Sequence, residues 1–141
     1  MRSIVTALAA AQPRRMESNY RYVFHYAAKE NSRRTLMVCF TDLADMDISG
    51  ELVKSMARLQ PRHLPMTVTI SDSDLTNTLN ELPSTETAAY EYSAALEVWN
   101  DYQRAIRALN SHGVLTVNVP AQELTIATLN RYLRIKETAR L

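Results

Sequence analysis

Glycine is scarce in this chain, with only Gly50 and Gly113 among 141 residues. That leaves no glycine-rich loop of the kind that cradles a nucleotide phosphate. Cysteine is scarcer still. The single Cys39 excludes an internal disulfide and a cysteine-based zinc site, and it fits a reducing compartment. It falls within an apolar run, where a cysteine packs as a small hydrophobe. An excess of charge of either sign is also missing: 16 basic residues face 15 acidic ones, for a net charge of +1. With the signs interspersed and no long basic run, nucleic acid is not an expected partner. No segment reaches the ~18 consecutive apolar residues that a membrane span would need. The opening stretch, residues 1–11, is apolar in the manner of a short secretory leader, but Gln12-Pro13-Arg14-Arg15 interrupts it at once. It reads instead as a helix packed against a sheet and ended by Pro13.

What is present is regular structure. Hydrophobic residues make up 46% of the chain, enough for one domain with its own core over residues 1–141. Ser18 or Asn19 can cap a helix running to about Glu30, with Tyr22, Val23, Tyr26 and Ala27 on its apolar face. The unbroken run Thr35 to Thr41 predicts a strand that ends on Thr41-Asp42. After an acidic turn from Asp42 to Asp47, the spacing of Leu52, Val53, Met56 and Leu59 predicts a helix capped by Asp47 or Ser49 and closed before Pro61. Met66 to Ile70 is a second strand, and Ser71 or Asp72 starts a short helix ended by Pro83. Ser84 is placed to cap the longest helix, with Ala88, Tyr92, Ala95, Trp99, Tyr102, Ile106 and Leu109 in one stripe. Gly113 suits the left-handed residue that closes such a helix. Val114 to Val119 is the third strand, and Pro120 opens a final helix running to about Thr138.

Strands alternating with helices of this length imply an α/β fold, an open parallel sheet with helices on both faces in three layers. About three strands is thin for such a sheet, which usually has about five or six. Strands that would precede Met1 in a complete domain are therefore expected to be absent. The resulting open strand edge predicts a homodimer or a strand exchange.

Phe40-Thr41-Asp42-Leu43, Arg62-His63-Leu64-Pro65, Gly113-Val114-Leu115, Val119-Pro120 and the closing Asn130-Arg131-Tyr132-Leu133-Arg134-Ile135-Lys136 together resemble one bacterial family. It is domain-of-unknown-function family fifty-eight, whose globular part is similar to a von Willebrand factor A domain, a Rossmann-like fold. The resemblance spans nearly the whole chain, and its most specific element is Asn-Arg-Tyr-Leu-x-Ile-Lys. It implies that this chain corresponds to the carboxyl-terminal portion of such a domain, truncated to about three strands. It also implies a metal-ion-dependent adhesion site on top of the sheet, to which Asp42 would contribute one ligand and Ser18 another. The Asp-x-Ser-x-Ser loop that supplies most of that site has no counterpart here; Ser71-Asp72-Ser73-Asp74 follows a different strand. One carboxylate and one hydroxyl are too few to strip water from magnesium, so no tightly bound metal is expected, and magnesium belongs to an intact relative. The resemblance further implies a protein-binding role, with Thr41, Asp42 and Asp45 at the contact. The implied partner is a MoxR-type AAA+ ATPase at the cytoplasmic face of the bacterial inner membrane.

Other readings compete with this one. Asp42, Asp45 and Asp47 crowd one turn and could hold a divalent ion for a metal-dependent phosphatase or nuclease. However, neither Ser71 nor Val119-Pro120, which end the other strands, offers the general acid or base such chemistry needs. The expectation is therefore that the chain is not an enzyme. His25, His63 and His112 lack ligand spacing and are expected at the surface or at helix ends. A dyad of Cys39 with any of them would need an exposed thiol. The aromatic stripe at Tyr92, Trp99 and Tyr102 is expected to pack in the core rather than dock a partner. Arg131, Arg134 and Lys136 read as a solvated helix face.

Overall fold

The computed structural model describes residues 2–12, 18–43 and 46–138, with the backbone alone at Arg2, Ile4, Leu8 and residues 46–49. In chain order the elements are α1 (Arg2–Ala10), α2 (Tyr20–Glu30), β1 (Leu36–Phe40), α3 (Met46–Leu59), β2 (Leu64–Ile70), α4 (Ser73–Asn80), α5 (Glu86–Ser111), β3 (Leu115–Val119) and α6 (Leu124–Glu137). A single 3₁₀ turn, Ala121–Glu123, precedes α6. The three strands form one parallel sheet in the order β1-β2-β3. Leu36 is in register with Leu64, and Met66 with Leu115. The fold is thus α/β with a three-stranded parallel sheet, as the alternation of elements implied.

Strand side chains alternate between the two faces, and each face has its own core. Met37 and Cys39 meet α3 through Leu52, Met56 and Leu59, α5 through Tyr102, Ala105 and Leu109, and α2 through Phe24. On the opposite face Leu64, Met66, Val68 and Val117 meet α6 through Ile135, Leu124 and Ala127. Helices α3 and α5 share a face because both connections step the same way along the sheet, and connections of one hand that progress in one direction stack on one side. The other face is left to α6 alone.

Several local expectations change. Helix α2 buries Phe24, with Tyr20, Ala27 and Ala28 packed beside it, whereas Tyr22, Val23 and Tyr26 of the expected face are exposed. The helix holds enough apolar residues to supply two stripes, and the Tyr20-Phe24-Ala27 spacing is the one that reaches Met37 and Leu52. Helix α3 starts at Met46, so Asp47 and Ser49 lie inside it and cannot cap it. The cap of α5 is Thr85, one residue beyond Ser84, with Oγ1 accepting from the Ala88 amide at 3.1 Å. Strand β2 includes Leu64 and Pro65 before Met66. The described side chains of the first helix are exposed, and neither core takes a residue from it among the described residues; the Ile4 and Leu8 side chains, on which the expected packing against the sheet falls, lie outside the described residues. His63 is 2% exposed, not at the surface, because the turn after α3 carries it directly into the sheet, its amide bonded to the Leu59 carbonyl at 2.8 Å. Among the described residues neither ring nitrogen has a partner.

The two glycines predict opposite effects. Gly113 closes α5 at φ 75°, where an added Cβ would meet the Gln60 side chain at 3.2 Å. Gly113→Ala is expected to lower the unfolding free energy by ~1–2 kcal/mol. Gly50 lies within α3 and its Cβ would meet nothing within 4 Å, so Gly50→Ala is expected to raise stability by about 0.5–1 kcal/mol. Urea denaturation of the two variants checks both signs.

Candidate functional site

The carboxyl edge of the sheet is formed where β1 ends in Thr41-Asp42, β2 in Ser71-Asp72 and β3 in Pro120. Tyr20, at the start of α2, reaches Thr41: its hydroxyl lies 2.8 Å from Thr41 Oγ1, which itself donates to the Asp42 carbonyl at 3.2 Å. This contact ties the first turn of α2 to the end of β1 and so brings Ser18 to the same end of the molecule as Asp42. Ser18 is exposed, and its side chain makes no hydrogen bond to Asp42 among the described residues. Asp45 lies outside the described residues, as does the Asp47 side chain.

Asp42 stands at the rim of two concavities. On the α5 side a small cavity of about 110 Å³ is lined by Asp42, Ser71, Asp72, Trp99, Tyr102 and Asn118, among others. Its floor is a polar cluster that sequence reasoning did not anticipate. Thr69 Oγ1 lies 2.6 Å from the Tyr102 hydroxyl and also contacts Asn118 Oδ1 at 3.3 Å and the Val117 carbonyl at 3.4 Å. Burial raises the pKa of Tyr102; the Thr69 hydrogen bond, which can turn its proton toward a phenolate, partly offsets this, and the nearby negative Asp42 adds to the rise. Tyr102 was expected as core, and it is core at its ring. Its hydroxyl is the part that the stripe pattern could not place, since only the register of α5 over β2 brings it to Thr69.

Asp72 is occupied elsewhere, accepting from the Asp74 amide at 2.8 Å and the Leu75 amide at 3.3 Å as the cap of α4. On the α6 side a cleft of about 340 Å³ is lined by Phe40, Thr41, Asp42, Val68, Ile70 and Leu124. It is apolar apart from Thr41 and Asp42. The described residues around this edge therefore supply hydroxyls, one amide and carboxylates, with no imidazole or amine to serve as a general base. No three His, Cys, Asp or Glu side chains converge as a metal-binding group among the described residues. Burial raises the Cys39 pKa, which keeps the thiol protonated and unreactive near neutral pH.

The strand order explains why this edge is shallow. In open α/β sheets the ligand crevice forms where the strand order reverses and adjacent crossovers diverge to opposite faces. Here the order runs β1-β2-β3 without reversal. A more conspicuous feature lies on the α6 face, where β1 is left partly bare. Val38 is 38% exposed and Phe40 64%, and Ile70 beside them is 54% exposed. With Leu129 and Tyr132 of α6, Val38 and Phe40 border an apolar cleft of about 420 Å³.

No protein-family model matches the chain, and no curated protein or solved structure matches it.

Because the folded state holds the Tyr102 pKa above its ordinary 10.0, the stability this gives is complete below pH 10. It is lost as pH climbs from there through the higher folded value. Tyr102→Phe is expected to flatten this alkaline loss and, by removing the hydrogen bond to Thr69, which keeps Asn118 and the Val117 carbonyl as partners, to cost about 0.5–1.5 kcal/mol at neutral pH. Thermal unfolding of both proteins from pH 8 to 12 provides the check.

Proposed function

We propose that this chain is a non-enzymatic protein-interaction module that joins another polypeptide along β1. The observation that carries the reading is the composition of that strand at an open edge. Leu36-Met37-Val38-Cys39-Phe40 is apolar on both faces, as interior strands are. Yet among the described residues β1 pairs only with β2, and no described strand covers its other edge. Edge strands of monomeric proteins are blunted by lysine, proline or a bulge, and β1 carries no lysine or proline. The opposite edge strand, β3, interposes Thr116 and Asn118 among its apolar residues.

The occupant we assign is a second copy of the chain. A two-fold axis beside β1 would set the two strands antiparallel and join the sheets into one of six strands, an ordinary size. With the axis normal to the sheet, Val38 and Phe40 of both copies would meet on one face and cover each other. The net charge of only +1 raises little repulsion between copies.

The wider setting rests on resemblance. The motif series ending in Asn130 to Lys136 supports a von Willebrand factor A-like domain of domain-of-unknown-function family fifty-eight. The system it implies is membrane-associated and built around a MoxR-type AAA+ ATPase. Thr41 and Asp42, at the rim of the bare apolar face, are where that partner would meet the module.

Light scattering across rising protein concentration is the test. The wild type is expected as a discrete dimer and Phe40→Lys as a monomer. Because Phe40 is already 64% exposed, the variant is expected to keep its circular dichroism and melting temperature. A wild type that stays monomeric at high micromolar concentration, or a Phe40→Lys variant that still dimerises, would overturn the reading.

A further inference from the structure

A second concavity, remote in character from the bare sheet face, lies between α2 and α3. It is a cleft of about 580 Å³, within the ~300–1,000 Å³ range of small-molecule sites. Its floor is apolar, with Phe24 and Leu59 both buried. Its walls carry the guanidinium groups of Arg21, Arg58 and Arg62 and the imidazole of His25, while no acidic residue lines it. Local structure produces this arrangement: Arg21 and His25 are one turn apart on α2, while Arg58 lies in the last turn of α3 and Arg62 in the turn that follows it, its amide bonded to the Leu59 carbonyl at 3.0 Å.

Three features indicate that these cations are not simply a solvated face. None of Arg21, Arg58 and Arg62 is paired with a carboxylate among the described residues. Arg21 sits in the first turn of α2, which holds no acidic residue. A cation there opposes the helix dipole, which favours negative charge at that end. Finally, Ser55, only 4% exposed, lines the same cleft, so the cations stand beside a recessed hydroxyl rather than along an open helix surface.

We infer that this cleft binds a small phosphorylated molecule, its phosphate oxygens held by Arg21, Arg58 and Arg62 and its apolar body seated on Phe24 and Leu59. Guanidinium forks match phosphate oxygens two at a time. The cationic groups come from α2, the end of α3 and the turn after it rather than from one point, and on α2 the four residues between Arg21 and His25 rise ~6 Å. A ligand with more than one anionic group, such as a diphosphate ester, fits that spacing better than a lone phosphate. No glycine loop is needed, because side chains rather than backbone amides supply the donors. The site is independent of the β1 edge, so either assignment can fail alone.

Isothermal titration of the full chain with ADP, with inorganic pyrophosphate, and with phosphatidylcholine vesicles containing phosphatidic acid distinguishes the sources of phosphate. The expected result is saturable binding of ADP tighter than that of pyrophosphate, weakening as salt rises. In Arg58→Gln/Arg62→Gln, affinity is expected to fall about tenfold or more. Arg134→Gln, on an exposed position of α6, is expected to change nothing. Both cleft arginines point from well-exposed positions, so circular dichroism should be the same for all three proteins. Binding confined to the vesicles and lost in the double variant would assign the phosphate to a lipid headgroup within the same site. No binding in any arm, or equal binding by wild type and double variant, would overturn the inference, as would an equal loss in Arg134→Gln.

Discussion

The structure depends on β2 being enclosed on all sides. It pairs with a parallel neighbour at each edge, and from Leu64 to Thr69 its side chains are buried on both faces. Met66 and Val68 face α6 while Thr67 and Thr69 face the helices opposite. Every other core residue is placed by its relation to this strand. The cost of enclosure shows at its polar positions. Thr69 is satisfied by Tyr102 and its neighbours, whereas Thr67 Oγ1 and both nitrogens of His63 have no partner among the described residues. Buried groups of that kind draw down the stability that the apolar contacts supply.

A strand order that never reverses accounts for much of the rest. It stacks α3 and α5 on one face and gives that face a closed core, with α2 laid against α3 beyond it. It leaves one helix, α6, to cover the other. Helix α6 packs over β3 and β2, so the apolar side chains of β1 on that face, Val38 and Phe40, stay in contact with water. The same monotonic order removes the crevice that a reversal would create at the carboxyl edge. The interaction surface therefore moves from the tips of the strands to the flank of the sheet. Asp42 is where the two meet, at the rim of the apolar cleft and beside Tyr102.

Charge follows a similar logic of placement over composition. A chain with a net charge of +1 nevertheless sorts its ionic groups in space. Carboxylates collect at the ends of β1 and β2, with Asp72 engaged as a helix cap. Arginines from α2, α3 and the turn after α3 line a cleft without an acidic residue. Nothing in either helix alone announced that Arg21 and His25 of α2 would face Arg58 of α3 and Arg62 in the turn beyond it.

The order and type of the elements were legible in the sequence, because a five-residue apolar run bounded by polar turns and a 3.6-residue apolar period are local signals. A cap at Ser18 or Asn19 and another at Ser71 or Asp72, Gly113 at a left-handed turn and the carboxyl-terminal ends of α3 and α5 were legible for the same reason, each resting on backbone chemistry within a few residues. What tertiary structure alone decided is which of two apolar stripes α2 buries, that His63 passes inside, that Tyr102 meets Thr69, and that the face of β1 carrying Phe40 is left bare. Those outcomes turn on which helix stands over which strand, and that is set by strand order and burial between residues far apart in the chain. Periodicity can say that a side chain wants cover, but only packing decides whether it receives any.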